Sequence, residues 1–121
     1  MIVNATRITL NPEKRTEFFQ AVSHLLGNVK RPKGCRKLHL YVDSRDENSS
    51  LLMSEWDSES DLNRYLISHD FATLRGVITV LSKGSVDSKA LVMSARSKEL
   101  LAGHYRRIDG DEGIGKRGNY K

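Results

Sequence analysis

Tyr65, His69 and Arg75 are the residues of this chain best suited to move a proton or to steady an anion. They lie in one stretch, SEWDSESDLNRYLISHDFATLRGVITVLSKG. Leu62, Tyr65, Leu66 and His69 recur at i, i+3, i+4 and i+7, so they share one helical face. An imidazole on such a face can act as a general base near neutral pH. A phenol beside it can donate a hydrogen bond to a substrate oxygen. Arg75 falls inside a second apolar stripe, Phe71, Leu74, Ile78 and Leu81, where a cation would stabilise an enolate or phenolate. Trp56 and Phe71 offer flat walls for an aromatic ligand. Asn4 and Thr6 point together from a strand, and His39 shares a strand face with Lys37 and Tyr41, toward either a pocket or an interface. Each residue also has a plain packing role. His69 can cap a helix break, the Arg75 stem can pack while its head reaches water or Glu55, and Tyr65 and Trp56 can be core.

The elements that must hold these residues follow from pattern. Ile2 to Leu10 alternates as a strand. Asn11-Pro12-Glu13 starts a helix with a capping side chain, a proline and an early acid. The stripe Phe18, Val22, Leu25, Leu26, Val29 carries that helix to about Lys30, where Pro32 and Gly34 end it. Cys35 to Asp43 is a second strand, and 44–50 reads as a polar hairpin loop. Leu51 to Trp56 is a third strand with two apolar faces. Ser58-Glu59-Ser60-Asp61 is a capping-box start. Ser68-His69-Asp70 interrupts the helix, and Asp70 offers a cap for the second piece. Val86 to Ala95 is a last strand. The order β-α-β-β-α-β predicts an α+β, ferredoxin-like fold: an antiparallel four-stranded sheet with two helices on one face. Residues 1–95 form that domain. Residues 96–121 form a short helix, Ser97 to about Ile108 on the spacing of Leu101, Tyr105 and Ile108, and then a basic, Gly-rich tail.

Composition narrows the function. The chain has 121 residues, a formal charge of +5 and one cysteine. It has no apolar run long enough to span a membrane, no signal-peptide pattern and no internal disulfide, so a cytoplasmic location is expected. The four histidines show no metal-ligand spacing, and GDEGIGKR lacks the Ser/Thr, strand and helix of a phosphate loop. Lys30, Arg31, Lys33, Arg36 and Lys37 cluster in a connecting loop and read as a solvated surface. Nucleic-acid binding through them and the tail is the lowest-ranked reading. Helices cover one side of such a sheet, yet its third and last strands are apolar on both. A homodimer with facing sheets is therefore expected.

GCRKLHLY, a polar hairpin and LLMSEWDSESDLNRYLISHDFATLRGVITVLSKG together resemble the antibiotic biosynthesis monooxygenase family. Gly34-Cys35, Glu55-Trp56, Ser58 and Phe71 carry the likeness, over roughly residues 1–95. The resemblance implies a dimeric α/β barrel with a pocket between sheet and helices. It also implies oxidation of a quinol- or anthrone-like aromatic by dioxygen, with no metal or flavin cofactor. A haem-degrading branch of the family uses an Asn, a Trp and a His. Aligned by Trp56, those positions are Thr6, Tyr65 and Arg75 here, so haem degradation is not expected. The alternative is a non-catalytic dimer that binds a small molecule or is purely structural.

Overall fold

The computed structural model describes residues 2–28, 30–84, 87–92 and 103–108. Strand β1 is Ile2–Thr9 and helix α1 is Arg15–Asn28, entered through a 3-10 turn at Pro12–Lys14. The Asn11 side chain accepts a hydrogen bond from the Glu13 amide at 3.1 Å, the cap expected there. Strands β2 (Cys35–Asp43) and β3 (Asp46–Trp56) form a hairpin. Helices α2 (Glu59–Leu66) and α3 (His69–Leu81) follow, then β4 (Asp87–Val92) and a short β5 (Tyr105–Arg107). The sheet order is β4-β1-β3-β2-β5, antiparallel throughout. Its first four strands have the ferredoxin-like order. Among the described residues no helix is long and apolar enough to cross a membrane.

Register decides which side chains meet the helices. Ile2 pairs with Trp56, Asn4 with Ser54 and Thr6 with Leu52 on one face, and Leu38 and Leu40 from β2 join them opposite Ser54 and Leu52. That face carries the main core: Ile8, Leu10, Leu40, Val42 and Leu52 against Phe18, Phe19, Val22, Leu74 and Ile78. A second, aromatic cluster of Trp56, Leu62, Tyr65 and Cys35 continues it toward α2. Completely burying side chains of this size stabilises by about 1.5–3 kcal/mol each, before the cost of ordering them.

Three expectations change. The loop 44–50 shrinks to a turn at Ser44 and Arg45, and β3 already begins at Asp46. Ser49 and Ser50 pair with Thr9 and Ile8, because the long β1 needs a ladder partner along its whole length. The predicted helix to Ile108 is not present at its end. Gly103 and His104 form a turn and Tyr105–Arg107 is a strand on the outer side of β2, while 97–102 and the tail from 109 lie outside the described residues. The edge of β2 offers unpaired backbone groups, and these outweigh a weak helical spacing. Third, the sheet's other face holds Val3, Leu51 and Met53 at 0%, 4% and 3% exposure within the single chain, with Ala5, Tyr41 and Tyr105 against them. A bare apolar face at these residues is thus not what would bring two copies together.

Candidate functional site

The break between α2 and α3 is built by one residue. Ser68 Oγ donates to the Tyr65 carbonyl at 2.6 Å and accepts the Phe71 amide at 3.2 Å. It closes the first helix and caps the second, so Ser68, rather than Asp70, is the second cap. The same bonds hold Tyr65 and His69 on either side of the break. At the other end, Ser58 Oγ accepts the Asp61 amide at 3.1 Å and fixes the start of α2.

Between the end of α1 and the start of α3 lies a cavity of about 340 Å³. Leu25 and Leu26 of α1, Leu38 of β2 and Leu74 of α3 supply its apolar surface. Tyr65, His69, Asp70 and Thr73 stand on the α2–α3 side, and Lys30, Arg31 and Pro32 on the loop side. The volume is toward the small end of ligand sites, about 300–1,000 Å³, and suits a bicyclic ring.

Tyr65 is the buried polar group of the cavity wall. Its ring stacks on Trp56 at 5.1 Å and meets Phe71 edge-on at 5.3 Å. Burial pushes its phenol pKa up to about 12, and Cys35 and Asp70 add to the shift. At neutral pH Tyr65 is therefore a neutral hydrogen-bond donor and not a base. His69 is exposed at the rim, where an imidazole can exchange protons with solvent and ligand alike. Cys35 is buried, and burial raises its thiol pKa, which makes it a poor nucleophile.

The remaining predicted residues are distributed differently. Trp56 is fully buried and backs Tyr65, with its indole N–H donating to Ser54 Oγ at 2.8 Å. Phe71 is half-buried behind Tyr65. Arg75 is exposed and lies over the outer face of Phe71, 5.9 Å from the ring centroid, away from the cavity lining. Asn4 and Thr6 are buried on the helix-facing side of β1, beside Ser54 and Leu52, and do not line the cavity. His39 stands on the opposite face of the sheet, edge-on to Tyr41 at 6.4 Å. Lys30, Arg31, Asp70 and Thr73 line the cavity but were not singled out for it by sequence. Their only signal is position: the end of one helix and the first turn of another, which must pack together in a ferredoxin-like layer.

A second hollow opens at the other end of α1. It measures about 780 Å³ and is lined by Arg15, Arg45, Arg106 and Arg107, by Asp43, Ser44 and Glu47, and by Phe19, Val42 and Ile108.

Fold and cavity define the class: a ferredoxin-like α+β domain with a ligand-sized cavity between helices and sheet. The family model for antibiotic biosynthesis monooxygenases matches residues 1–76, and the chain belongs to that family. A curated relative, named "Putative heme-binding protein rrnAC3100", from Haloarcula marismortui, is 31% identical over 64 residues, 53% of this chain. The match spans only 10% of that relative's length. Among solved structures, a conserved protein from Methanosarcina mazei superposes with a TM-score of 0.70 at 17% identity, covering 77% of this chain and 92% of that one. An antibiotic biosynthesis monooxygenase superposes at 0.68 and 16% identity, covering 78% and 99%. At such identities these structures establish the shared fold. The family match supports a monooxygenase-like role.

Proposed function

We propose that the chain oxidises a quinol- or anthrone-like aromatic with dioxygen in the cavity between α1 and α3. The carrying observation is Tyr65, held neutral in a dry aromatic wall, beside the rim imidazole of His69. His69 takes a proton from the substrate hydroxyl or activated methylene. Tyr65 donates a hydrogen bond to the resulting oxyanion, where low polarity strengthens the interaction. The electron-rich anion passes one electron to dioxygen, and the radical pair combines to a hydroperoxide. Loss of water then leaves one oxygen atom in the product as a carbonyl. The substrate supplies the electrons in this scheme. Arg75 has no part in it, because it faces outward over Phe71.

Oxygen consumption with anthrone and 1,4-dihydroxynaphthalene tests the reading. His69→Ala should slow turnover by about 10²-fold, the usual worth of a general base, and Tyr65→Phe by a smaller factor. Turnover untouched by both changes would reject it. Members of the family are commonly dimeric, and the dimer and a cytoplasmic location belong to this proposal.

A second reading, non-catalytic ligand binding, is favoured by the name of the Haloarcula relative. Haem would require an axial ligand, and His69 is the residue of the cavity lining that could serve. A cavity of about 340 Å³ fits a bicyclic ring better than a macrocycle. A haem titration showing a Soret shift in the wild type and none in His69→Ala would establish this reading instead.

A further inference from the structure

The charges around the cavity are sorted by wall. Lys30 and Arg31 lie on the loop that leaves α1, and the one acid of the lining, Asp70, lies opposite on the first turn of α3. Asp70 raises the Tyr65 pKa, which places its negative field at the phenol end. With His69 neutral, the lining carries a net positive charge, supplied by the loop that follows α1.

The turn that follows the two cations is held in place. The Cys35 amide donates to the Pro32 carbonyl at 3.1 Å, and the Asp57 amide donates to the Gly34 carbonyl at 2.8 Å. Gly34 has a left-handed φ of 80°, and a side chain there would run into the Asp61 carboxyl. This turn fixes residues 32–35 against the start of α2, directly after Lys30 and Arg31. Between the two polar ends the surface is leucine. An apolar body with one ionisable hydroxyl would leave Lys30 and Arg31, exposed at the mouth of the cavity, to water alone, whereas an anionic substituent would meet them.

We infer that the cavity selects aromatic substrates bearing a carboxylate or similar anionic substituent, bound with the reacting hydroxyl toward Tyr65 and His69 and the anion toward Lys30 and Arg31. The inference rests on the proposed use of this cavity and names its substrate class. Charge-assisted hydrogen bonds from ammonium and guanidinium to a carboxylate supply the selectivity.

The test compares 1,4-dihydroxynaphthalene with 1,4-dihydroxy-2-naphthoate by oxygen consumption. The acid should be preferred in kcat/KM by about tenfold, as one or two charge-assisted hydrogen bonds allow. The preference should shrink with added salt and collapse in the double variant Lys30→Gln, Arg31→Gln. It should survive in Lys30→Arg, Arg31→Lys. Equal kcat/KM for the two compounds, or a preference that persists in the Gln variant, would overturn the inference. If neither compound is oxidised, the oxidation reading fails by itself. Quenching of protein fluorescence by 2-naphthoate against 2-naphthol then decides the charge preference in the same variants. Tighter binding of the acid, lost in the Gln variant, supports it, and equal binding rejects it.

Discussion

Two hollows flank helix α1, and they differ in what lines them. At the helix's end, about 340 Å³ is enclosed by leucines, with a buried phenol in the wall. At its start, about 780 Å³ is bordered by four arginines and two acids. In that wider cleft Arg15 lies 3.8 Å from Glu47, whose side chain is 74% exposed, and Arg45 lies 3.7 Å from Asp43. Glu47 and Arg45 are open to water and screened, and both acids of the cleft are already matched by arginines. In the smaller cavity Tyr65 is buried, and its raised pKa records that burial, while His69, Asp70, Lys30 and Arg31 stand exposed at the mouth. What separates the two is the buried phenol in the lining of the smaller one, which the wider cleft lacks.

The contrast is broken most severely by removing the backing of the closed cavity. Trp56 is fully buried against Tyr65, so Trp56→Ala should cost about 3–5 kcal/mol in urea unfolding. A loss below about 1 kcal/mol would mean the aromatic wall is not the rigid support described. A smaller effect comes from pH. The folded chain holds the Tyr65 proton more tightly than the unfolded chain, whose phenol titrates near 10.0. Stability from this group is thus whole below pH 10 and erodes as pH climbs toward about 12. Melting temperatures across that window should fall less steeply in Tyr65→Phe than in the wild type, and equal slopes would contradict the burial. The smallest effect belongs to the open cleft. Glu47→Gln removes an exposed ion pair and should shift stability by less than about 1 kcal/mol, with no change in turnover. A larger shift would show that the wide cleft is drier than its surroundings suggest.

Much of the architecture was readable because local signals agreed with one another. Asn11, Pro12 and Glu13 announced α1, and the interruption at Ser68 announced two helices instead of one. Tyr65 and His69 were paired on a helical spacing, yet the break at Ile67 and Ser68 falls between them, and it is the bonds of Ser68 to Tyr65 and Phe71 that set them on either side of it. Arg75 shares α3 with Phe71, Leu74 and Ile78, but it is exposed and its guanidinium lies over the Phe71 ring, so its place in the sequence stripe did not bring it to the cavity lining. Phe71, four residues before it, packs inward against Tyr65 and carries Arg75 on its ring. Lys30 and Arg31 read as loop surface, since only tertiary packing brings the end of α1 to the first turn of α3. The strand at Tyr105 escaped for a related reason. Its pairing depends on β2, some 60 residues earlier, and the Ser44 hydroxyl bonded to the His104 carbonyl records that separation. No local spacing could reveal it.

That short strand has a consequence for solubility. The Ile108 amide bonds to the Leu40 carbonyl at 3.0 Å and the Ser44 amide to the His104 carbonyl at 2.8 Å, so the chain occupies the flank of its own sheet. Foreign strands cannot stack there without first displacing it, and Arg106 and Arg107 place like charge where a fibre would have to grow. Three residues outside the family-matched segment thus act as a gatekeeper against self-aggregation, and a chain trimmed before Gly103 would present β2 as a sticky template.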